Sequence, residues 1–264
     1  MSATLKMMIC AGLIITALAC QKTKDNPIAT VDDTLALKYT VLSVLPHNEK
    51  AFTEGLVIHN DKLLESTGLN NQSWIAEVDI ATGAHDKKVI LAGHYFGEGI
   101  TVLNNKVYQL TYREKSGFVY DASSYKKLKE FTYKTEGWGL THDDHSLIMS
   151  DGTDKLYFLD TVNFNVVRTV AVKDSPGIKL KNINELEFVN GYIFANVYET
   201  SQIVKIDLRT GQVVGRLDLS PITNEIKQMY PNTYELNGIA FDRNKNAFLV
   251  TGKNWPKSYL INVH

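Results

Sequence analysis

Cysteine is almost absent from this chain: only Cys10 and Cys20 occur in 264 residues. Both lie among the first twenty, so everything after them lacks a thiol for a disulfide, a nucleophile or a zinc site. An excess of either charge is also missing. The 28 basic and 29 acidic residues give a formal net charge of −1 and are interspersed, which leaves no electrostatic footprint for DNA, RNA or an anionic membrane surface. Nucleic acid is not expected as a partner. The seven histidines (His47, His59, His85, His94, His142, His145 and His264) show no metal-ligand spacing. No glycine-rich phosphate loop, nucleophile elbow or Ser-His-Asp order occurs.

One long apolar run exists, Met7 to Ala19, in a segment of twenty residues whose only charge is Lys6. It is too short for a stable membrane span and reads as a secretory signal. It ends Ala17-Leu18-Ala19-Cys20, which resembles a bacterial lipobox. Residues 1–19 are therefore expected to be a lipoprotein signal peptide and Cys20 the acylated residue, anchoring an exported protein that faces the periplasm or the cell surface. Residues 20–36 are polar and aperiodic and read as a tether. Residues 37–264 carry the apolar pattern of a single domain, expected to be monomeric.

That pattern is of short strands with period two, broken by Gly, Asn and Asp turns, with no sustained helical period. It repeats five times. The clearest marker is the third strand of each unit: Trp74 to Asp79, Gly117 to Asp121, Leu156 to Asp160, Ile203 to Asp207 and Tyr259 to Asn262, whose last residues stand 42, 39, 47 and 55 apart. Repeats of about 40 residues with four short strands predict propeller blades. The fifth unit has no fourth strand, and Tyr39 to Leu45 is placed to supply it. The fold class expected is all-β, a five-bladed β-propeller closed by the N-terminal strand.

Aligning the first strands puts Glu54, Glu98, Trp138, Asn184 and Asn237 at one structural position. In a propeller those strand starts surround the central channel at one face, so two carboxylates, two amides and an indole converge there. Phe52 and Phe96 supply apolar walls, and the second-strand ends add Tyr112, Asp151, Tyr198 and Lys253. Apolar walls with a few convergent polar groups make the default candidate site. Glu98 stands out, flanked by Gly97 and Gly99 behind Phe96, where an apolar wall favours the protonated acid.

With these positions in view, the chain resembles the plant and bacterial type of glutaminyl-peptide cyclotransferases. The resemblance rests on ordered motifs across residues 52–256, among them Phe52-Thr53-Glu54-Gly55-Leu56, Glu65-Ser66-Thr67-Gly68-Leu69, Glu98-Gly99-Ile100-Thr101, Glu136-Gly137-Trp138-Gly139, Leu236-Asn237-Gly238-Ile239 and Thr251-Gly252-Lys253-Asn254-Trp255-Pro256. It implies a propeller that closes the N-terminal glutamine of peptides or proteins into pyroglutamate and releases ammonia. Position by position it implies Glu98 as acid/base catalyst, Asn184 and Lys253 holding the reacting amide, and a substrate pocket of Phe52, Glu54, Phe96, Tyr112, Trp138, Tyr198 and Asn237. The chain departs from the plant pattern in Glu54, where plant members have glutamine, and in Tyr112 and Tyr198, where they have tryptophan. No cofactor is required, although a structural divalent cation in the channel stays open. Two other readings remain at this point: a metal-dependent lactonase using Glu54, Glu98, Asn184 and Asn237 as oxygen ligands, and a non-enzymatic binding propeller.

Overall fold

The computed structural model describes residues 33–264, which form one compact unit. Cys20 and the signal segment lie outside the described residues, and so does the tether up to Asp32. Among the described residues no helix is long and apolar enough to cross a membrane.

The unit is a propeller-like array of five β-sheets, each built on a run of antiparallel strands consecutive in the chain. Four of the sheets have four strands. The first runs Thr53–His59, Lys62–Thr67, Trp74–Val78 and His85–Ile90; the second Gly97–Leu103, Lys106–Thr111, Ser116–Asp121 and Lys127–Thr132; the third Leu140–His142, Leu147–Ser150, Lys155–Leu159 and Val166–Ala171. The last sheet is Leu236–Asp242, Ala247–Gly252, Lys257–Val263 and the N-terminal strand Tyr39–Pro46, whose register runs from Tyr39 opposite Val263 to Pro46 opposite Lys257. Burial follows strand rank. Gly97–Leu103 is buried at every position, whereas Lys127–Thr132 buries only Phe131.

The fourth sheet departs from the repeat. Its four strands, Ile183–Val189, Tyr192–Val197, Gln202–Asp207 and Gln212–Asp218, are joined by a hairpin of Lys173–Ser175 and Ile178–Lys179 and by Ala36–Leu37, making seven. Ala36 and Leu37 pair in parallel with Arg216 and Leu217. Asp33–Leu35 forms a 3-10 turn just ahead. The last residues assigned to the tether, 33–36, are thus part of the folded unit.

The aspartates that marked the repeat have a physical reason. The carboxylate Oδ1 of Asp79 accepts the backbone N–H of Ala81 and Thr82; Asp121 does the same with Ser123 and Ser124, Asp160 with Val162 and Asn163, and Asp207 with Arg209. Each shapes the turn into the outer strand. The two longest spacings are explained by insertions: the extra hairpin before Asp207, and a helix before Asn262. That helix, Ser220–Met229, corrects the expectation of a chain without helical segments. Pro221 stands in its first turn, where a missing N–H costs nothing, and Ile222 and Ile226, one turn apart, are its buried face.

Candidate active site

Four of the five aligned residues sit where the ladder between first and second strands breaks. Register shifts fall between Thr53 and Gly55, Gly97 and Ile100, Ile183 and Leu186, and Leu236 and Ile239. Glu54, Glu98, Asn184 and Asn237 therefore lie in β-bulges, which bend a strand and re-aim a side chain. All four are at least 95% buried. Trp138 differs: its strand begins only at Leu140, so Trp138 precedes it. Its backbone still bonds in ladder fashion, donating to Ser150 O at 3.0 Å and accepting from Gly99 N at 2.8 Å.

Hydroxyls and an amide from the second strands hold these bulges across sheet boundaries. Ser66 Oγ donates to Glu98 O at 2.5 Å, Ser150 Oγ to Asn184 O at 2.7 Å, and Asn196 Oδ1 accepts Gly238 N at 3.1 Å. The inner strands also approach too closely for side chains. A Cβ on Gly99 would fall 2.5 Å from Leu140 N, and one on Gly139 would fall 2.1 Å from Asn184 O.

The aromatic residues form a collar. Phe52 meets Phe96 edge-on at 6.1 Å between ring centroids, Phe96 meets Tyr112 at 5.7 Å, Tyr112 meets Trp138 at 6.4 Å and Trp138 meets Tyr198 at 5.5 Å. Lys253 closes the circle, its Nζ 5.4 Å from the Tyr198 ring and 4.8 Å from the Phe52 ring. Such cation–π contacts stabilise a desolvated ammonium. Tyr234, which the sequence did not single out, extends the collar against Phe52 at 5.6 Å. The Trp138 indole N–H is held by Glu136, which also accepts from Arg113.

Inside the collar, Lys253 Nζ lies 2.8 Å from Glu54 Oε1, and Asn237 Nδ2 donates to Glu54 Oε2 at 3.1 Å and to Thr53 O at 3.0 Å. Burial pushes the Glu54 carboxyl up to about 7, with the Lys253 ammonium opposing. Burial pulls the Lys253 ammonium down, but the carboxylates of Glu54 and Glu98 outweigh it and leave its pKa raised. Glu98 is raised well above the usual carboxylate range, first by burial and then by the charge of Glu54. One ammonium beside two buried carboxyls favours one ionised carboxylate and one neutral acid. Glu54 holds the ion pair, and Glu98 keeps its proton.

Glu98's carboxyl makes no hydrogen bond among the described residues. The same is true of the Asn184 side-chain amide, whose Oδ1 is buried without a partner. Buried polar groups are normally satisfied, so an unbonded acid and an unbonded amide point to a ligand that completes them. Asp151, in contrast, is fully engaged by Thr153 and Tyr157 and serves its own turn.

Sequence reasoning missed Glu185. It occupies the bulge position where Gly55, Gly99, Gly139 and Gly238 stand in the other sheets, and its carboxylate crosses the centre to accept Leu56 N at 3.1 Å and Ile239 N at 2.9 Å. The break in the glycine pattern was the available signal. It also missed the pair His47 and His85. These stand 18 and 20 residues from Glu65 in sequence, yet both imidazoles bond its carboxylate; no local spacing reveals that.

A family model described as glutamine cyclotransferase matches residues 12–263. A glutaminyl-peptide cyclotransferase of Arabidopsis thaliana is 37% identical over 226 residues, covering 84% of this chain and 70% of the relative. The crystal structure of Myxococcus xanthus glutaminyl cyclase superposes with a TM-score of 0.80 at 31% identity, over 88% of this chain and 98% of that one. With a match spanning nearly its full length, the chain belongs to the glutamine cyclotransferase family.

Proposed function

We propose that this protein cyclises the N-terminal glutamine of peptides and proteins to pyroglutamate, using Glu98 as the proton relay at the centre of a five-bladed ring that the N-terminal strand closes. Family membership supports the reaction. The observations that carry the site are the Glu98 carboxyl, buried, raised well above the usual carboxylate range and without a hydrogen bond among the described residues, and the buried Asn184 Oδ1, which has no partner.

Both reactants belong to one residue, so binding need only fold the glutamine side chain back on its own α-amine and exclude water. The amine nitrogen bonds to the side-chain amide carbon, and the C–N bond to the leaving nitrogen breaks. A neutral carboxylic acid serves both ends: Glu98 gives its proton to the departing nitrogen and takes, on its other oxygen, the proton released by the attacking nitrogen. Ammonia leaves and Glu98 is again neutral. A raised pKa suits this role because the proton is held yet readily exchanged. The Asn184 amide N–H donates to the amide oxygen as negative charge grows there, worth about 3 kcal/mol for a well-placed donor. Lys253, paired with Glu54, adds its positive field from the rim of the collar. Phe52, Phe96, Tyr112, Trp138 and Tyr198 wall the substrate, while Glu114, Glu136 and Glu235 add negative charge around the carboxyls that draws in the substrate as an ammonium, which gives its extra proton to solvent before the free amine attacks.

No cofactor enters this scheme. Both oxygens of Glu54 accept from nitrogen donors, Lys253 Nζ and Asn237 Nδ2; an oxygen-ligated cation, as in a lactonase, would have to displace them. Purified protein incubated with a glutamine-initiated peptide should release one ammonia per peptide, with the matching loss of mass. An asparagine-initiated peptide, whose side chain is too short to close the same ring, should be left intact. Absence of ammonia from the glutamine peptide would return weight to a binding propeller. The apolar run of residues 1–19 and Cys20 support an exported, lipid-anchored protein. Cys20→Ser should shift it from the membrane to the soluble fraction, and unchanged membrane association would refute the anchor.

A further inference from the structure

One buried cluster takes no part in that chemistry. His47 follows the N-terminal strand, Glu65 stands in the second strand of the first sheet, and His85 opens its outer strand. The three side chains are 4%, 0% and 3% exposed. His47 Nε2 lies 3.1 Å from Glu65 Oε1, His85 Nε2 lies 2.5 Å from Oε2, and one ligand atom from each residue falls within 4.8 Å of the others. The two rings meet edge-on at 6.0 Å, both turned to the same carboxylate.

The far side of each ring fixes its tautomer. His47 Nδ1 faces Trp255 O at 2.6 Å and His85 Nδ1 faces Gly83 O at 2.9 Å. A carbonyl oxygen only accepts, so each Nδ1 carries the hydrogen, and a neutral ring then presents an Nε2 lone pair toward Glu65. A carboxylate also only accepts. Acceptors facing one another out of water require positive charge among them. An imidazole whose Nδ1–H is held by a backbone carbonyl, with Nε2 beside a carboxylate, is the arrangement that metal-binding histidines use. Thr53 Oγ1 donates to Glu65 Oε1 at 2.6 Å and fixes the carboxylate in turn.

We propose that His47, Glu65 and His85 form a binding site for a divalent transition metal, with Zn2+ the best fit to two imidazole nitrogens and a carboxylate. Metal–ligand bonds of about 2.0–2.2 Å in a tetrahedral site set neighbouring ligand atoms about 3.3 Å apart. The His47–Glu65 separation is already close to that, and the His85 ring would have to swing outward by about 1 Å. His85 is among the residues lining a surface cavity of about 530 Å³ that presents four carboxylates, Asp61, Glu77, Asp79 and Asp86, against one ammonium, Lys62, a net acidic approach suited to a cation. The ion would tie the end of the strand Tyr39–Pro46, the first sheet and, through Trp255 O, the last sheet at the seam of the ring. It would stand apart from the proton relay, so its presence or absence does not depend on the proposed reaction.

The test is Zn2+ binding by chelator-stripped protein, followed by calorimetry and native mass spectrometry. The wild type should take up one ion and melt at a higher temperature with it, because a ligand that binds only the folded state stabilises that state. His85→Ala and His47→Ala should weaken binding tenfold or more, whereas Glu98→Gln should bind as the wild type does. No uptake by the wild type, full uptake by His85→Ala, or loss of uptake in Glu98→Gln would each overturn the proposal. Should the histidine variants fail to fold, the visible absorption of Co2+ on the intact protein decides: the intense bands of a tetrahedral nitrogen–oxygen site are expected, and the weak bands of an octahedral all-oxygen ion would refute it.

Discussion

Replacing Glu54 by glutamine tests the electrostatics of the centre, because it removes one of two neighbouring buried carboxyls while keeping size and one of the two acceptor oxygens. The Glu54 carboxyl is displaced from an ordinary 4.5 to about 7, chiefly by burial, with Lys253 opposing. A folded-state pKa above the unfolded one means that the folded protein binds more protons between these values. The contribution of this group is therefore fully present below pH 4.5 and is lost as pH rises through 7. At about 1.4 kcal/mol per pH unit, the displacement corresponds to about 3 kcal/mol of stability lost between pH 4.5 and 8. Glu54→Gln should remove that decline. Its loss also lowers the Glu98 pKa, since the Glu54 charge is one cause of that elevation and Lys253 remains to oppose it, and this flattens the profile further. Urea unfolding across that pH range measures the slope in both proteins. The same variant should move the high-pH limb of turnover to lower pH, because the protonated relay is lost sooner. A stability profile as steep as that of the wild type, with an unmoved limb, would refute the coupling.

Two further outcomes follow from the fold. Glu185→Ala leaves Leu56 N and Ile239 N unbonded in the core; with each buried orphan costing about 1–3 kcal/mol, chemical denaturation should show a loss of about 3 kcal/mol or more, and a loss under 1 kcal/mol would contradict the bridging role. Deleting residues 38–45 strips the outer strand from Lys257–Val263 and exposes an edge, so the truncated protein should aggregate or melt far below the intact one; an unchanged melting temperature would mean that this strand is dispensable.

The repeat was legible because every unit spells its third strand and turn the same way, with an aspartate that binds the N–H groups after it. The bulge residues could be aligned for the same reason: Glu54, Glu98, Asn184 and Asn237 each stand second in a first strand. The seven-stranded sheet was not legible, since Ala36–Leu37 and the Lys173–Lys179 hairpin pair with distant strands and leave no period of their own. The helix Ser220–Met229 was overlooked because it shows only two buried apolar residues, although Pro221 and the longest spacing between repeats both mark the insertion. At the site, residue identity disclosed which groups converge but not how they pair. That Lys253 holds Glu54 and leaves Glu98 and Asn184 free is a matter of angles across four sheets. The Glu185 bridge and the His47–Glu65–His85 cluster are likewise products of tertiary structure.

The central claim is that the Glu98 carboxyl relays the proton during ring closure. Single-turnover ammonia release from a glutamine-initiated peptide, compared between the wild type and Glu98→Gln, tests it most directly. Glutamine there keeps the shape and can still hydrogen-bond, but it cannot exchange a proton. The account predicts a fall of about 100-fold or more with the melting temperature retained; a Glu98→Gln protein that releases ammonia at the wild-type rate would contradict it.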